Sequence, residues 1–202
     1  MHLRSSLKTK SLVLGGAALL AISLVACSPG QGEPAEASPT SSGTSAVDDV
    51  TQESADAAGV DLGSLGEPVA TAELPAIVEG DPDATLTVDF YGLRRSGDTV
   101  VGTYSFTPNS DVDVVQPLMT YLGGTVWDSY LIDPVNLNKH SVLRSEDGMS
   151  SARTPAGATS PQFGPGQTWF TYAVFAAPPS GVDTVNVMFV QGAPMATGVP
   201  VE

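Results

Sequence analysis

The sequence predicts an all-β fold, an antiparallel immunoglobulin-like β-sandwich of about 6–8 strands, following a disordered N-terminal segment. Three observations carry this. Leu86-Thr87-Val88-Asp89-Phe90 alternates apolar and polar residues, the period of a half-buried strand. Beyond Asp81, short apolar runs are separated by Gly, Pro and Asp turn signals. Helical periodicity is nearly absent from the same region.

The elements follow in order. Glu67–Val78 reads as an edge strand. Leu86–Phe90 and the alternating Val100, Gly102, Tyr104 and Phe106 flank Arg95-Ser96-Gly97-Asp98, and together they read as a β-hairpin. Asp113–Leu122 contains Pro117 and reads as a turn or irregular strand. Further strands are expected at Val126–Ile132, Ser141–Arg144, Thr168–Phe175 and Thr184–Val190. Pro165-Gly166 suits the centre of a type II turn, and Pro178-Pro179 removes two backbone donors and ends the strand before it. Trp127, Tyr130, Trp169, Phe170, Tyr172, Phe175 and Phe189 are the candidate core. No disulfide supports it, because Cys27 is the only cysteine in 202 residues.

The first residues carry a different signal. Arg4, Lys8 and Lys10 precede an apolar run from Leu12 to Val25, and no acid appears before Glu33. Fourteen residues suit a signal-peptide core and fall short of the roughly 20 apolar residues of a membrane span. Leu24, Val25, Ala26 and Cys27 end the run and resemble the lipobox of bacterial lipoproteins. The resemblance implies cleavage before Cys27 and a thioether-linked diacylglyceryl group on its sulfur, with palmitate-type acyl chains. Two chains meet the usual threshold for stable anchoring. Residues 1–26 are then a lipoprotein signal peptide, and mature Cys27 holds the protein on the extracytoplasmic face of the cell membrane.

Residues 27–80 are the lipidated cysteine and an acidic linker of Ser, Thr, Gly, Pro, Ala, Asp and Glu, too polar to offset its ordering entropy. As a coil it would span about 40 Å. Asp49 precedes Gln52 by three residues, a weak capping signal over Asp48–Ala58, but Gly59 and the lack of an apolar face argue against a stable helix. Residues 81–202 form the sandwich.

Leu131-Ile132-Asp133-Pro134-Val135-Asn136, then Lys139 and Val142-Leu143-Arg144, form one recognisable pattern. Gly164-Pro165-Gly166, Phe175-Ala176-Ala177-Pro178-Pro179 and Val199-Pro200-Val201 extend it. Over residues 84–202 the chain resembles the uncharacterised β-sandwich in the amino-terminal half of actinobacterial OmpA-family lipoproteins. It resembles less closely the wider immunoglobulin-like domains of Gram-positive lipoproteins. The resemblance implies a sandwich with no assigned activity, and the peptidoglycan-binding domain of those relatives is not carried over. A cysteine pair that some relatives carry is replaced here by Gly148-Met149-Ser150-Ser151. The Ala, Gly, Val, Thr and Asp content, with few Lys, fits a high-GC actinobacterium. The residues themselves give Asp133 and Asn136 a structural role, bonding local backbone around Pro134 at a corner between strands.

Reactive groups are sparse. His140 is the one histidine beyond the signal segment, and a Ser-His-Asp arrangement would need Asp133 or Asp147 beside it, without any Gly-x-Ser-x-Gly turn. An exposed or locally bonded histidine is expected instead. One histidine and no spare thiol leave too few ligands for a transition metal, and Met119, Met149, Met188 and Met195 are scattered. Asp81-Pro82-Asp83 and Asp111-Val112-Asp113 offer oxygen ligands for calcium, short of the six to eight that it takes. No spacing selects a glycosidase pair. Nucleic-acid binding is disfavoured by 22 acidic against eight basic residues, a formal charge of −14. Removing residues 1–26 leaves five basic residues against the same 22 acids.

The expectation is a non-catalytic envelope lipoprotein without cofactors. Its partners are the membrane, through the lipid, and another protein or a cell-wall component, with spare aromatics forming the contact patch. The alternative is an accessory lipoprotein that binds a small molecule or ion, calcium among them.

Overall fold

The computed structural model describes residues 45–144 and 162–202, which fall within one compact unit, Ser41–Glu202. Among the described residues every buried core residue lies at or beyond position 54. The elements are helix α1 (Ser45–Ala58), strands β1 (Ala70–Pro75), β2 (Thr85–Ser96), β3 (Thr99–Asn109) and β4 (Gln116–Pro117), and the single-turn helix α2 (Leu118–Tyr121). They continue with β5 (Tyr130–Asp133), β6 (Asn138–Ser141), β7 (Gln162–Phe163), β8 (Trp169–Ala176), β9 (Thr184–Met188) and β10 (Ala196–Pro200).

The sandwich consists of two four-stranded antiparallel sheets, ordered β1-β2-β3-β8 and β10-β9-β5-β6, with β4 and β7 paired beside them. Two isolated bridges stitch the sheets together, Val142 with Phe175 and Leu93 with Val201. The strand registers place the connections 76–84, 110–129, 162–168 and 189–195 at one end, here the loop end. The tips at 97–98, 134–137 and 177–183 lie at the other, the hairpin end.

Alternation puts Leu86, Val88 and Phe90 of β2 inside. Leu93 is also buried, at an odd spacing that a regular strand cannot give. A bulge at Tyr91-Gly92 supplies the extra residue, with Gly92 at φ 110°. Facing it on β3, Gly102 leaves room for Tyr104: a Cβ there would stand 2.7 Å from the Tyr104 hydroxyl.

The core is a chain of aromatic contacts. Phe189 stacks on Phe90 (6.2 Å between centroids), Phe90 meets Tyr104 (5.1 Å), and Tyr104 and Phe106 both meet the edge of Trp127 (4.9 and 5.3 Å). From Phe106 the chain continues through Trp169 (5.8 Å) and Phe163 (5.8 Å) to Tyr121 (5.4 Å). The polar atoms of Tyr104, Trp127 and Tyr121 on this path have partners. Trp127 Nε1 donates to the Phe189 carbonyl at 2.9 Å, and Ser129 Oγ donates to the Met188 carbonyl at 2.8 Å. That uses the only proton of Ser129, so the Tyr104 hydroxyl is the donor in its 2.9 Å bond to Ser129. Burial raises the Tyr104 phenol well above its ordinary pKa.

The β2–β3 hairpin with its turn at Gly97, the edge strand β1 and the strands expected at Thr168–Phe175 and Thr184–Val190 agree with these elements, whereas those expected at Val126–Ile132 and Ser141–Arg144 are found at Tyr130–Asp133 and Asn138–Ser141. Three further readings differ. Tyr130 and Tyr172 are half-buried outside the core, while Phe170 is buried in a separate small cluster with Ala55 and Val60. Asp113–Leu122 forms β4 and then α2, because Pro117 suits the position before a helix and ends the strand. The expected spacer to residue 80 is shortened by α1 and β1.

The reason α1 is ordered lies on β8. Phe170 stands opposite Ser105 of β3, yet its N–H bonds outward to Ser54 Oγ at 3.0 Å. The Thr168 N–H likewise bonds to Thr51 Oγ1 at 3.2 Å. Farther along the same edge, the Val174 carbonyl accepts from the Leu143 N–H at 2.8 Å. Hydroxyls of α1 therefore stand in for a neighbouring strand and protect the edge of β8.

Two outcomes follow. Ser54→Ala should speed hydrogen exchange of the Phe170 amide at least tenfold while leaving Val88 unchanged; equal protection in both proteins would show that α1 does not cap the edge. Thr171 is fully buried on the core face of β8 and its Oγ1 lacks a hydrogen-bond partner. Thr171→Val removes that unpaired hydroxyl and should raise unfolding free energy by about 1 kcal/mol in denaturant titration, whereas a loss would contradict the assignment.

Candidate functional site

Of the residues singled out from sequence, Leu24, Val25, Ala26 and Cys27 lie outside the described residues, as do Asp147 and the 148–151 segment. Asp133 is fully buried and forms the expected corner. Its Oδ1 accepts from the Val135 and Asn136 N–H groups (2.8 and 3.1 Å), and its Oδ2 from Asn136 Nδ2 (2.7 Å). The Asn136 amide first, and then those backbone donors, hold the Asp133 carboxyl below its usual pKa against the opposing effect of burial. With its oxygens so engaged, Asp133 does not orient His140 as a triad acid would. His140 is half-buried rather than exposed, and its Nε2 is buried without a hydrogen-bond partner.

The two Asp-x-Asp stretches are brought together, but as a structural staple. Asp81 Oδ2 accepts from Ser110 Oγ at 2.6 Å and from the Asp111 N–H at 2.9 Å, and Asp81 Oδ1 accepts from the Asp83 N–H at 3.1 Å. Ser110 foremost, then Asp111, lowers the Asp81 pKa. No group of three or more His, Cys, Asp or Glu side chains converges on a metal position among the described residues.

The staple ties the 76–84 loop to the segment leading into β4, and further bonds complete the loop end. Gln116 Nε2 donates to the Ile77 carbonyl at 2.7 Å, and the Ile77 N–H donates to the Tyr121 carbonyl at 2.9 Å. The Tyr121 hydroxyl, its pKa pushed up to about 12 by burial, donates to the Phe163 carbonyl at 2.8 Å. This well-braced frame exposes aliphatic side chains: Ile77 is 59% exposed, Val115 55%, Met119 46% and Val126 60%. The Ile77 side chain lies over Gly123, and Val115 lies against Gly164.

Charge around the patch has one sign. Glu79, Asp83, Asp111 and Asp113 are exposed in these loops, with Asp81 and Asp128 partly so. The described basic residues, Arg94, Arg95, Lys139 and Arg144, all lie elsewhere, on β2, on β6 and just past β6. A smaller apolar tip at the hairpin end consists of Val135 and Leu137, the latter held at φ 57°.

The aromatic patch expected from sequence is not what forms. Trp127, Trp169, Tyr104 and Tyr121 are all buried, and the exposed apolar groups are aliphatic. Their signal in the sequence is the presence of Ile77, Val115, Met119 and Val126 in turn-rich, acidic segments, where packing does not call for them.

A groove of about 410 Å³ lies between the 59–69 connection and the β2 bulge, with Tyr91, Arg94, Val101 and Thr103 on its floor. Its polar groups are partly spent locally. Asp61 accepts from the Gly63 N–H and the Ser64 hydroxyl (2.9 and 3.0 Å), and the Tyr91 hydroxyl pairs with Ser105 at 3.3 Å.

No protein-family model matches the chain, and comparison with curated proteins and with solved structures finds no match.

The depressed Asp81 pKa fixes a pH dependence. A carboxyl that is more acidic folded than unfolded contributes stability above its unfolded pKa of about 3.9, and that contribution is lost as pH falls through the folded value. Asp81→Asn should lower stability at pH 7 and flatten the stability–pH curve below about pH 4. A variant curve parallel to the parent's in that range would contradict the staple.

Proposed function

We propose that this chain is a lipid-anchored lipoprotein of the cell envelope, whose non-catalytic sandwich docks another protein or a cell-wall component. The observation that carries the docking half is the loop-end patch, where four aliphatic side chains are held open to solvent by a hydrogen-bonded frame. Monomeric surfaces scatter such residues singly, whereas a clustered patch with a polar rim is a mark of an interaction site. The braced frame favours recognition further, because little ordering remains to be done on binding.

The anchoring half rests on the basic head, the apolar run and the Leu24-Val25-Ala26-Cys27 lipobox. Among the described residues no helix is long and apolar enough to cross a membrane. Seventeen residues separate Cys27 from Ser45, where α1 begins. Even fully extended they reach only about 60 Å, which keeps the sandwich near the membrane surface. The small-molecule alternative rests on the groove beside Tyr91 and Arg94, which is open and lined by one aromatic.

Cys27→Ala should leave the sandwich folded and move the protein from the membrane fraction or stall its processing. Mass spectrometry and membrane fractionation check this, and a variant that stays membrane-bound with an unchanged adduct mass would overturn the anchoring.

A further inference from the structure

The loop end combines an aliphatic centre with an acidic rim, and this combination restricts what it can meet. We infer that the loop end docks a cationic protein surface, one presenting apolar side chains ringed by Lys or Arg. The inference rests on the docking reading above and adds the chemistry of the partner.

Geometry favours a macromolecule over a small ligand. Ile77, Val115, Met119 and Val126 stand out from the braced loops, and the groove lies elsewhere in the molecule. Charge then selects among macromolecules. Glu79, Asp83, Asp111 and Asp113 are exposed around the patch, and no Lys or Arg occurs in residues 76–84, 110–129, 162–168 or 189–195. An anionic lipid surface or a nucleic acid would be repelled. A cationic partner would meet complementary potential at the rim and lose apolar surface to water at the centre, the arrangement that speeds encounter and excludes wrong partners.

The rim acids are also free for this work. Asp81 is spent on Ser110 and Asp111, but no hydrogen bond or ion pair is formed by the side chains of Glu79, Asp83, Asp111 or Asp113 among the described residues. Their carboxylates face solvent in a region with no counter-charge among the described residues. Neutralising them therefore alters the field with no loss of internal bonding.

The test uses the full chain and a designed amphipathic helix of Leu and Lys as the probe. Matched Leu/Gln and Leu/Glu helices serve as comparisons. Amide and methyl NMR shifts should move at Ile77, Met119 and Val126 with the Leu/Lys helix, and not with the Leu/Glu helix. Raising salt from about 0.05 to 0.5 M should weaken binding about tenfold or more. Asp83→Asn, Asp111→Asn and Asp113→Asn combined should weaken it by a similar factor with the thermal midpoint unchanged. Met119→Ser, which removes apolar contact without changing charge, should weaken the Leu/Lys and Leu/Gln helices alike. Equal, salt-insensitive binding of the Leu/Lys and Leu/Gln helices at the patch would overturn the cationic assignment and leave the docking reading standing. Failure of every helix to perturb the patch would overturn both. Self-association that buries Met119, seen by sedimentation, would assign the surface to a second copy and overturn the inference.

Discussion

The two sheets are held in register by the line of aromatic rings between them, running from Phe189 through Phe90, Tyr104, Trp127, Phe106, Trp169 and Phe163 to Tyr121. Each large side chain buried in this way is worth about 2–3 kcal/mol of apolar transfer. Geometry adds more, since Trp127 and Ser129 tie the entry to β5 to the carbonyls of Phe189 and Met188. The far end of the line sits under the loops: Tyr121 closes α2 over Phe163, and its carbonyl holds Ile77. The core thus sets the shape of the exposed loop end. Because both tryptophans are consumed inside, the apolar surface that the loop end exposes is aliphatic.

A second consequence concerns the edges of the sandwich. A strand edge left open invites pairing with other chains. Here β8 is closed partly by the 142–144 segment and partly by hydroxyls of α1, which turns a polar, weakly amphipathic helix into part of the fold. Such a helix gains its stability from the sheet, as short helices generally do. The same contact makes α1 part of the sandwich, with seventeen residues between it and Cys27.

Much of the fold was legible in the residues. Leu86, Val88 and Phe90 with the Gly97 turn gave the hairpin, Pro178-Pro179 gave the end of β8, and Asp133-Pro134-Val135-Asn136 gave the corner. The rest depended on contacts across long sequence separations. Ser54 meets Phe170 across 116 positions, and neither residue announces the other, so α1 read as spacer. The bulge at Tyr91-Gly92 interrupts alternation, and only the burial of Leu93 reveals why. Of the site, the acids were visible, but alternation and turn signals cannot say which loop side chains end up outside. That depends on how α2 and β4 settle on the core.

The resulting molecule separates its tasks in space. Among the described residues, Lys and Arg side chains are confined to β2, β6 and the segment just past β6, while the charged side chains of the loop end are all acidic. Its central claim is that the loop end is the surface that meets a partner. The most direct measurement is photo-crosslinking in intact cells, with a photoreactive side chain placed at Met119 and, separately, at the more exposed Val135 of the hairpin end. A discrete protein adduct from position 119 and none from position 135 is the predicted result. Adducts from position 135 alone, or the same adducts from both positions, would contradict the account.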